Sequence, residues 1–305
     1  MKKIKNILML LLLLLATNIN AQQDALYSQY MFNQFTINPA YAGSRNSLSS
    51  VLLYRSQWVG LDGAPNTMNF SIHSPFSGRN MALGMNFIID EIGPSETASV
   101  MGTYAYHLKT SKGKISFGLR GGLISTSLKN DMLNFYDNND KHNTGGVLQM
   151  VTPNFDFGVY YYTSGFYSGL SVNHLIGQTE DFQNGQTQFD LDRHFTLATG
   201  GVVVFSDNLV FKPSLFVRYV SKMPINYDLN ASVLFNKTLW LGFSYRSSKN
   251  LVLITEYNIS DFIRIGYSYD FDLSKLRRYN TGTHEVFIGC DLNIKKNKSL
   301  SPRYL

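Results

Sequence analysis

From residue 47 onward, apolar and polar side chains alternate along the chain with a period of two. Ile115, Phe117 and Leu119 fall on one face of such a segment, whereas Ser116 and Arg120 fall on the other. The same pattern recurs at 81–89, 238–246 and 262–270. Successive side chains of a β-strand point to opposite faces, so the pattern predicts strands with one apolar and one polar face. No later segment has the 18 or so apolar residues of a membrane-spanning helix, which excludes a helical membrane protein.

The composition of the two faces distinguishes a membrane barrel from a soluble sandwich. The polar face is rich in Gly, Ser, Asn and Arg, as suits a water-accessible lumen, and aromatic residues make up 14% of the chain. The opposite assignment would turn Arg120, Arg218 and Arg264 toward lipid at about 2–4 kcal/mol each near the midplane. The sequence therefore predicts an all-β, transmembrane antiparallel β-barrel in the bacterial outer membrane.

The alternating segments number about fourteen. They are predicted near 47–59, 66–74, 80–91, 95–109, 112–127, 153–163, 165–174, 190–205, 208–221, 226–236, 238–247, 249–258, 260–270 and 283–294. The three longest connections (128–152, 175–189 and 270–283) all fall on one side, and short turns fall on the other. Outer-membrane barrels have an even number of strands, long outer loops and short periplasmic turns. We therefore expect both termini to be periplasmic.

The first 21 residues have the three-part order of a secretory signal peptide. Lys2, Lys3 and Lys5 precede an apolar run over 7–16, and small polar residues then lead to Ala21. The apolar run is shorter than the roughly 20 residues of a membrane span, so a single-pass anchor is the weaker alternative. Loss of three lysines lowers the net charge from +6 to about +3. The sequence lacks the clustered basic face that nucleic-acid binding requires.

These patterns divide the chain into four parts. They are a signal peptide (1–21), a non-alternating N-terminal segment that could plug the lumen (22–46), the barrel (47–294) and a basic tail (295–305). The tail could contact a partner, although disorder is the simpler interpretation. The single cysteine, Cys290, excludes an internal disulfide framework and is expected to be a buried or lipid-facing small residue.

Nothing in the sequence predicts a catalytic centre, a cofactor or a metal site. The six histidines are scattered without the i, i+4 spacing of a helical zinc site, and the segments 242–246 and 266–270 lack the second Gly of a nucleophile elbow. Charged residues expected to face inward either brace the barrel as ion pairs or bind a solute or partner strand. They are Arg120, Lys212, Arg218, Arg246, Arg264, Glu256, Glu285 and Asp291.

A set of short motifs, in order along the whole mature chain, resembles the PorP/SprF family. The most distinctive is "YSQYMFNQFTINPAYAG" at 27–43, followed by "YRSQW" at 54–58 and "GAPNT" at 63–67. Further matches are "AYHL" (105–108), "SFGL" (116–119), "FYSGLSVNHL" (166–175), "WLGFSYR" (240–246), "GYSYD" (266–270) and "THEVFIG" (283–289).

The resemblance implies a non-enzymatic outer-membrane component of the type IX secretion or gliding machinery, which supports export or surface attachment of large cargo such as adhesins. The implied partners are outer-membrane lipid, a cargo C-terminal domain, and periplasmic ring or motor components. The motif positions, whose roles stay open, are Tyr30, Asn38, Pro39, Ala40, Tyr41, Ala42, Gly43, Arg55, Trp58, Tyr269, Asp270, His284 and Glu285. The alternative function is a diffusion channel for small solutes.

Overall fold

A computed structural model describes residues 25–76, 80–133, 136, 145–182, 187–221 and 223–293, without the side chains of 178–190 and 293. The predicted signal peptide (1–21) and basic tail (295–305) lie outside these residues. The predicted N-terminal segment is described from residue 25, and we call residues 25–46 the lumenal segment.

The described residues form seventeen strands. They are β1 (Ser47–Ser56), β2 (Asn66–Pro75), β3 (Met81–Ile92), β4 (Ser95–Lys109), β5 (Lys114–Lys129), β6 (Val147–Tyr162), β7 (Phe166–Asn173), β8 (Gln178–Phe182), β9 (Thr187–Leu191), β10 (His194–Gly201), β11 (Val203–Ser206), β12 (Leu209–Val220), β13 (Asn226–Phe235), β14 (Leu239–Arg246), β15 (Asn250–Asn258), β16 (Ile263–Asp272) and β17 (Thr283–Asn293).

Fourteen of these strands close into an antiparallel barrel, as predicted. β1 pairs with both β2 and β17, and β10 pairs with both β7 and β12, so the ring has no open edge between those strands. β11 continues from β10 and pairs with β12, whereas β8 and β9 form a separate hairpin. Closure supplies backbone hydrogen bonds to every strand, as the apolar interior of a bilayer requires.

The two faces of the barrel differ as the alternation predicts. On β5, Leu119 and Leu123 are 53% and 55% exposed on the outside, whereas Ser116 and Arg120 are 0% and 3% exposed on the inside. Burial inside a lumen, together with exposure of Leu, Ile and Phe outside, is the inverse of a soluble protein and fits a lipid-facing surface. Among the described residues, no helix is long and apolar enough to cross a membrane.

Strand boundaries differ from the predictions at one end of the barrel. β6 begins at Val147 rather than at 153, and the predicted strand 190–205 is divided among β9, β10 and β11. The predicted loop 175–189 contains most of the β8–β9 hairpin. In the first residues of β6 the apolar side chain of Met150 is on the inner face, opposite polar Gln149. Alternation fails where a strand extends beyond the membrane, because neither face there meets lipid.

The connections define two ends of the barrel. The long-loop end carries the connections after β5, β7 and β16, whereas the short-turn end carries tight turns such as those after β4, β6 and β13. Residue 47 and the last residue of β17 pair with one another at the short-turn end. The even strand number therefore places the start and the finish of the sheet at one end.

Candidate functional site in the barrel lumen

The lumenal segment does not join the sheet but lies against its inner face. It contains two short 3-10 turns, Gln34–Thr36 and Pro39–Tyr41, and the side chains of Met31, Phe35 and Ala40 are at most 1% exposed. The barrel strands use their own backbone groups in the sheet, so buried N–H and C=O groups of this segment need side-chain partners. The inner wall supplies these partners from most of its circumference.

A charged cluster at the long-loop end holds the beginning of the segment. We call it the Arg55 cluster: Arg55, Asp228, Arg246, Asp270 and Glu285, each at most 2% exposed. Arg55 bridges Asp270 and Glu285, with nitrogen–oxygen distances of 2.9 and 3.1 Å. Arg246 bridges Asp228 and Asp270 at 2.9 and 3.4 Å. Four different pairs of opposite charge thus interlock across β1, β13, β14, β16 and β17.

The same cluster binds the main chain of Ser28 and Gln29. Their backbone N–H groups donate to the two carboxylate oxygens of Glu285, both at 2.8 Å. The Ser28 hydroxyl donates to Asp270 at 2.7 Å and accepts from Arg55 at 2.9 Å. Three carboxylates face two guanidinium groups, and the two N–H donors offset part of the extra negative charge. The cluster is therefore completed by the lumenal segment, because a buried carboxylate needs hydrogen-bond donors.

Basic side chains of the wall bind the next carbonyl groups along the segment. Lys212 Nζ donates to the Met31 carbonyl at 3.3 Å, and its ammonium group lies 5.6–6.0 Å from the centres of three aromatic rings. Arg264 donates to the Phe32 carbonyl at 3.3 Å. Arg120 donates to the carbonyl of Thr36 at 3.1 Å and also to that of Phe35. The wall thus binds the main chain of the segment through basic side chains, and the bonds from the two arginines are stronger than bonds between neutral groups.

A second charged cluster anchors the end of the segment. Arg45 lies 2.7 Å from Asp291, which Arg264 approaches at 3.3 Å, and Arg264 also pairs with Glu256 at 3.0 Å. We call these four residues the Arg264 cluster. Arg45 is buried, and the Asp291 carboxylate beside it balances its charge. This attraction fixes the segment where it enters β1.

The motif 38–43 seats the segment on the opposite wall. The Asn38 amide donates to the carbonyl groups of Val159 on β6 and Leu170 on β7, at 3.1 and 3.3 Å. Its oxygen accepts from the Ala40 N–H at 2.9 Å, which caps the turn that Pro39 begins. One asparagine thus fixes both the turn and its place on two strands.

Tyr41, Ala42 and Gly43 complete this seat. The Tyr41 hydroxyl accepts from Arg45 at 3.1 Å, and its ring meets the rings of His73 and Tyr160 edge-on. The Ala42 carbonyl lies 2.9 Å from a ring nitrogen of His107. Gly43 has φ of +72°, and its N–H donates to His73. A side chain at this position would be strained and would meet Ala82 on the inner face of β3. The ring of Tyr30, earlier in the segment, packs against that of Phe216 in a tilted arrangement, with 4.9 Å between the ring centres.

Two inward glycines form the floor under the turn. A Cβ atom at Gly118 would meet the backbone of Pro39 and Ala40, and one at Gly158 would meet the amide of Asn38. These glycines belong to β5 and β6, and both neighbours of each along the strand point outward. Their missing side chains provide the space into which the main chain of the turn fits.

The structure gathers some motif positions and separates others. Arg55, Asp270 and Glu285 meet in one cluster, although they are up to 230 residues apart. Trp58 lies in the β1–β2 connection, where its backbone N–H donates to the hydroxyl group of Thr283. His284 and Tyr269 lie on the outer face, half-buried, with their rings in edge contact. These last three residues are therefore not part of the lumenal site.

Charged residues predicted to face the lumen do so: Arg120, Lys212, Arg218, Arg246, Arg264, Glu256, Glu285 and Asp291 are all at most 8% exposed. Sequence reasoning missed Asp228, Ser28 and Gln29 as site residues. Asp228 could have been found, because its spacing places it on the same inner face of β13 as Asn230 and Ser232. Cys290 is half-buried on the outer face, and no group of metal-binding side chains occurs among the described residues.

Comparison with solved structures places the fold among outer-membrane barrels. The Ralstonia pickettii toluene transporter TbuX aligns with 86% of this chain and 93% of its own, at 12% identity and a TM-score of 0.51. Omp33 of Acinetobacter baumannii aligns with 81% of this chain and 98% of its own, at 11% identity and a TM-score of 0.46. The translocator domain of NalP from Neisseria meningitidis aligns with 87% of this chain and 94% of its own, at 10% identity and a TM-score of 0.45. These identities support a likeness of fold alone.

No curated protein sequence matches the chain. The model of one protein family matches residues 19–290, which include the lumenal segment and nearly all of the barrel. This match covers most of the chain and agrees with the motifs that the lumenal site brings together. The chain belongs to the PorP/SprF family of type IX secretion system membrane proteins, as an outer-membrane β-barrel.

Proposed function

We propose that this protein is a non-enzymatic component of the type IX secretion or gliding machinery, and that it supports export or surface attachment of large cargo such as adhesins. Family membership supports the link to secretion. The observation that carries the contact mechanism is the lumenal segment, which occupies the space that a transported solute would need. The protein would then bind a cargo at the ends or outer surface of the barrel rather than conduct it through the lumen.

The bonding of the lumenal segment favours a closed barrel at rest. Its main chain makes charge-assisted hydrogen bonds with Glu285, Arg264 and Arg120, which come from separate parts of the wall. Hydrogen bonds to charged groups contribute about 1.5–3 kcal/mol each. Several such bonds acting together make spontaneous release of the whole segment a rare event.

The two ends of the barrel suit different partners in this proposal. The long-loop end carries the β8–β9 hairpin and the connections after β5 and β16, where a cargo C-terminal domain would bind. The short-turn end presents tight turns, where periplasmic ring or motor components would bind. In this arrangement the protein connects a cargo outside the cell with the machinery inside it.

A diffusion channel for small solutes is the second candidate. One observation favours it: a cavity of about 130 Å³ lies beside the segment near the long-loop end, lined by Arg218, Asp156 and His174 among others. TbuX, of similar fold, is a toluene transporter. The lining of the present cavity combines charged and apolar residues, and passage of a solute would still require the segment to move.

Affinity purification of a tagged protein from its native outer membrane tests the proposal. A mild detergent extract is analysed by mass spectrometry, beside an identically tagged, unrelated outer-membrane barrel as the control. We expect a large surface protein or periplasmic ring components to be enriched with this protein and not with the control. A solitary barrel that also conducts ions or takes up solutes would contradict the contact mechanism and favour the channel.

A further inference from the structure

The direction in which the lumenal segment runs has a topological consequence. Ser28 contacts Glu285, the third residue of β17, at the long-loop end. Arg45 contacts Asp291, near the other end of the same strand. Glu285 and Asp291 are six positions apart, which is about 20 Å along a strand. The chain therefore passes through the lumen from the long-loop end to the short-turn end before it begins β1.

We propose that the N-terminus of the mature chain lies at the long-loop end, on the same side of the membrane as the large loops. The even strand number places residues 47 and 293 at the short-turn end, but it does not govern the segment that precedes β1. This proposal replaces the expectation of two periplasmic termini with a chain that enters its own barrel from the outside.

The first described residues support this placement. Ala25, Leu26 and Tyr27 line the cavity of about 130 Å³ together with residues from the long-loop ends of the strands. Among these are Asp90, two residues before the end of β3, and His194, the first residue of β10. The chain is thus already at the long-loop mouth when it reaches residue 25.

The length of chain that remains is too short to return. If cleavage follows Ala21, only Gln22, Gln23 and Asp24 precede Ala25. Three residues reach at most about 10 Å, roughly half of the distance back through a lumen that the segment itself fills. The new terminus therefore stays on the long-loop side of the barrel.

Two polar side chains in the lining of this cavity have atoms without a hydrogen-bond partner among the described residues. Asn86 is fully buried beside it, and neither of its amide atoms has a hydrogen-bond partner among the described residues. The side-chain oxygen of Asn173, also in the lining, is likewise unpartnered there. One water needs roughly 10–15 Å³ by the same measure, so the cavity has room for several polar groups.

This arrangement also constrains how the protein folds. A segment with wall contacts on β2, β5, β12 and β17 cannot be threaded through a finished barrel easily, since its aromatic side chains fill the lumen. The strands would instead close around the N-terminal segment during insertion.

Accessibility of a single cysteine tests the topology. The variant Gln23→Cys is made in a Cys290→Ser background and treated with a membrane-impermeant maleimide, in intact and in permeabilised cells. Tyr136→Cys marks the long-loop end, and Ser111→Cys marks the short β4–β5 turn. Mass spectrometry of the N-terminal peptide confirms cleavage after Ala21.

We expect the cysteine at position 23 to react in intact cells, as the cysteine at 136 does, while the one at 111 reacts only after permeabilisation. If the cysteine at 23 reacts only after permeabilisation, as the one at 111 does, the proposal is overturned. If burial prevents labelling at 23 in both preparations, a short Gly-Ser spacer carrying the cysteine is inserted after Gln22. Labelling of that spacer from the side of position 111, or from neither side, would also overturn it. Cargo binding does not enter this test, so its failure would leave the proposed function standing.

Discussion

Arg55→Ala removes the central cation of the Arg55 cluster and is expected to release the beginning of the lumenal segment while the barrel stays folded. The change leaves Asp270 without its 2.9 Å partner and Glu285 without its 3.1 Å partner. It also removes the hydrogen bond that the Ser28 hydroxyl accepts from Arg55. Both carboxylates are fully buried, and loss of one partner of a buried ion pair costs about 3–5 kcal/mol.

This cost falls on the docked segment rather than on the sheet. The ladders of β1, β16 and β17 do not use the Arg55 side chain, so the closed barrel retains its backbone hydrogen bonds. Since each 1.4 kcal/mol corresponds to a tenfold change, the open population of the segment should rise by about 100- to 4,000-fold. Local opening of this kind is separate from global unfolding.

Hydrogen exchange followed by mass spectrometry measures the effect directly. The backbone N–H groups of Ser28 and Gln29 are protected by Glu285 in the docked state and should exchange faster by that factor in the variant. Arg278→Ala, which removes an exposed arginine outside the cluster, is the matched control and should leave exchange unchanged. Unchanged protection of residues 28 and 29 in Arg55→Ala, with an intact barrel, would refute the role of the cluster.

Three further changes test other contacts of the lumenal segment. Gly118→Val should displace the turn, because a side chain there meets the backbone of the turn and overpacking costs about 1–3 kcal/mol. Gly102→Val, on the outer face, is the control and should leave the turn in place. Protease accessibility of the lumenal segment is compared between the two variants. Lys212→Met keeps most of the volume but removes the donor to a buried carbonyl, so the segment should loosen by about 1–3 kcal/mol, as faster local hydrogen exchange. Asn38→Ala removes bonds to β6 and β7 and the cap of the turn, and should lower the thermal midpoint for release of the segment; an unchanged midpoint would contradict the seating role.

Much of the barrel could be predicted from sequence because lipid and lumen impose opposite requirements on neighbouring side chains. On β14, Leu241 and Phe243 face outward, while Ser244 and Arg246 face inward, as their alternation indicates. The rule weakens beyond the membrane, so it missed the β8–β9 hairpin and the first residues of β6. Strand assignment is thus reliable where the solvent differs between the faces.

The lumenal site was harder to predict because its contacts join distant parts of the chain. Ser28 and Glu285 are 257 positions apart, and no local pattern relates them. Alternation did indicate that Glu285 faces inward, but not which cation would neutralise it. The motif 38–43 was recognisable as unusual, whereas its seat on Gly118 and Gly158 depends on the closed barrel. The face to which a side chain points could therefore be predicted, whereas the residue that it binds could not.

The central claim is that the lumenal segment closes the barrel, so that the protein acts by contact and not as a solute pore. Single-channel recording in planar bilayers tests it most directly, with the purified wild-type protein compared with a variant that lacks residues 23–43. We expect the wild type to be closed at moderate voltage and the variant to give stable conductance steps. Equal conductance of the two proteins, whether open or closed, would contradict the account.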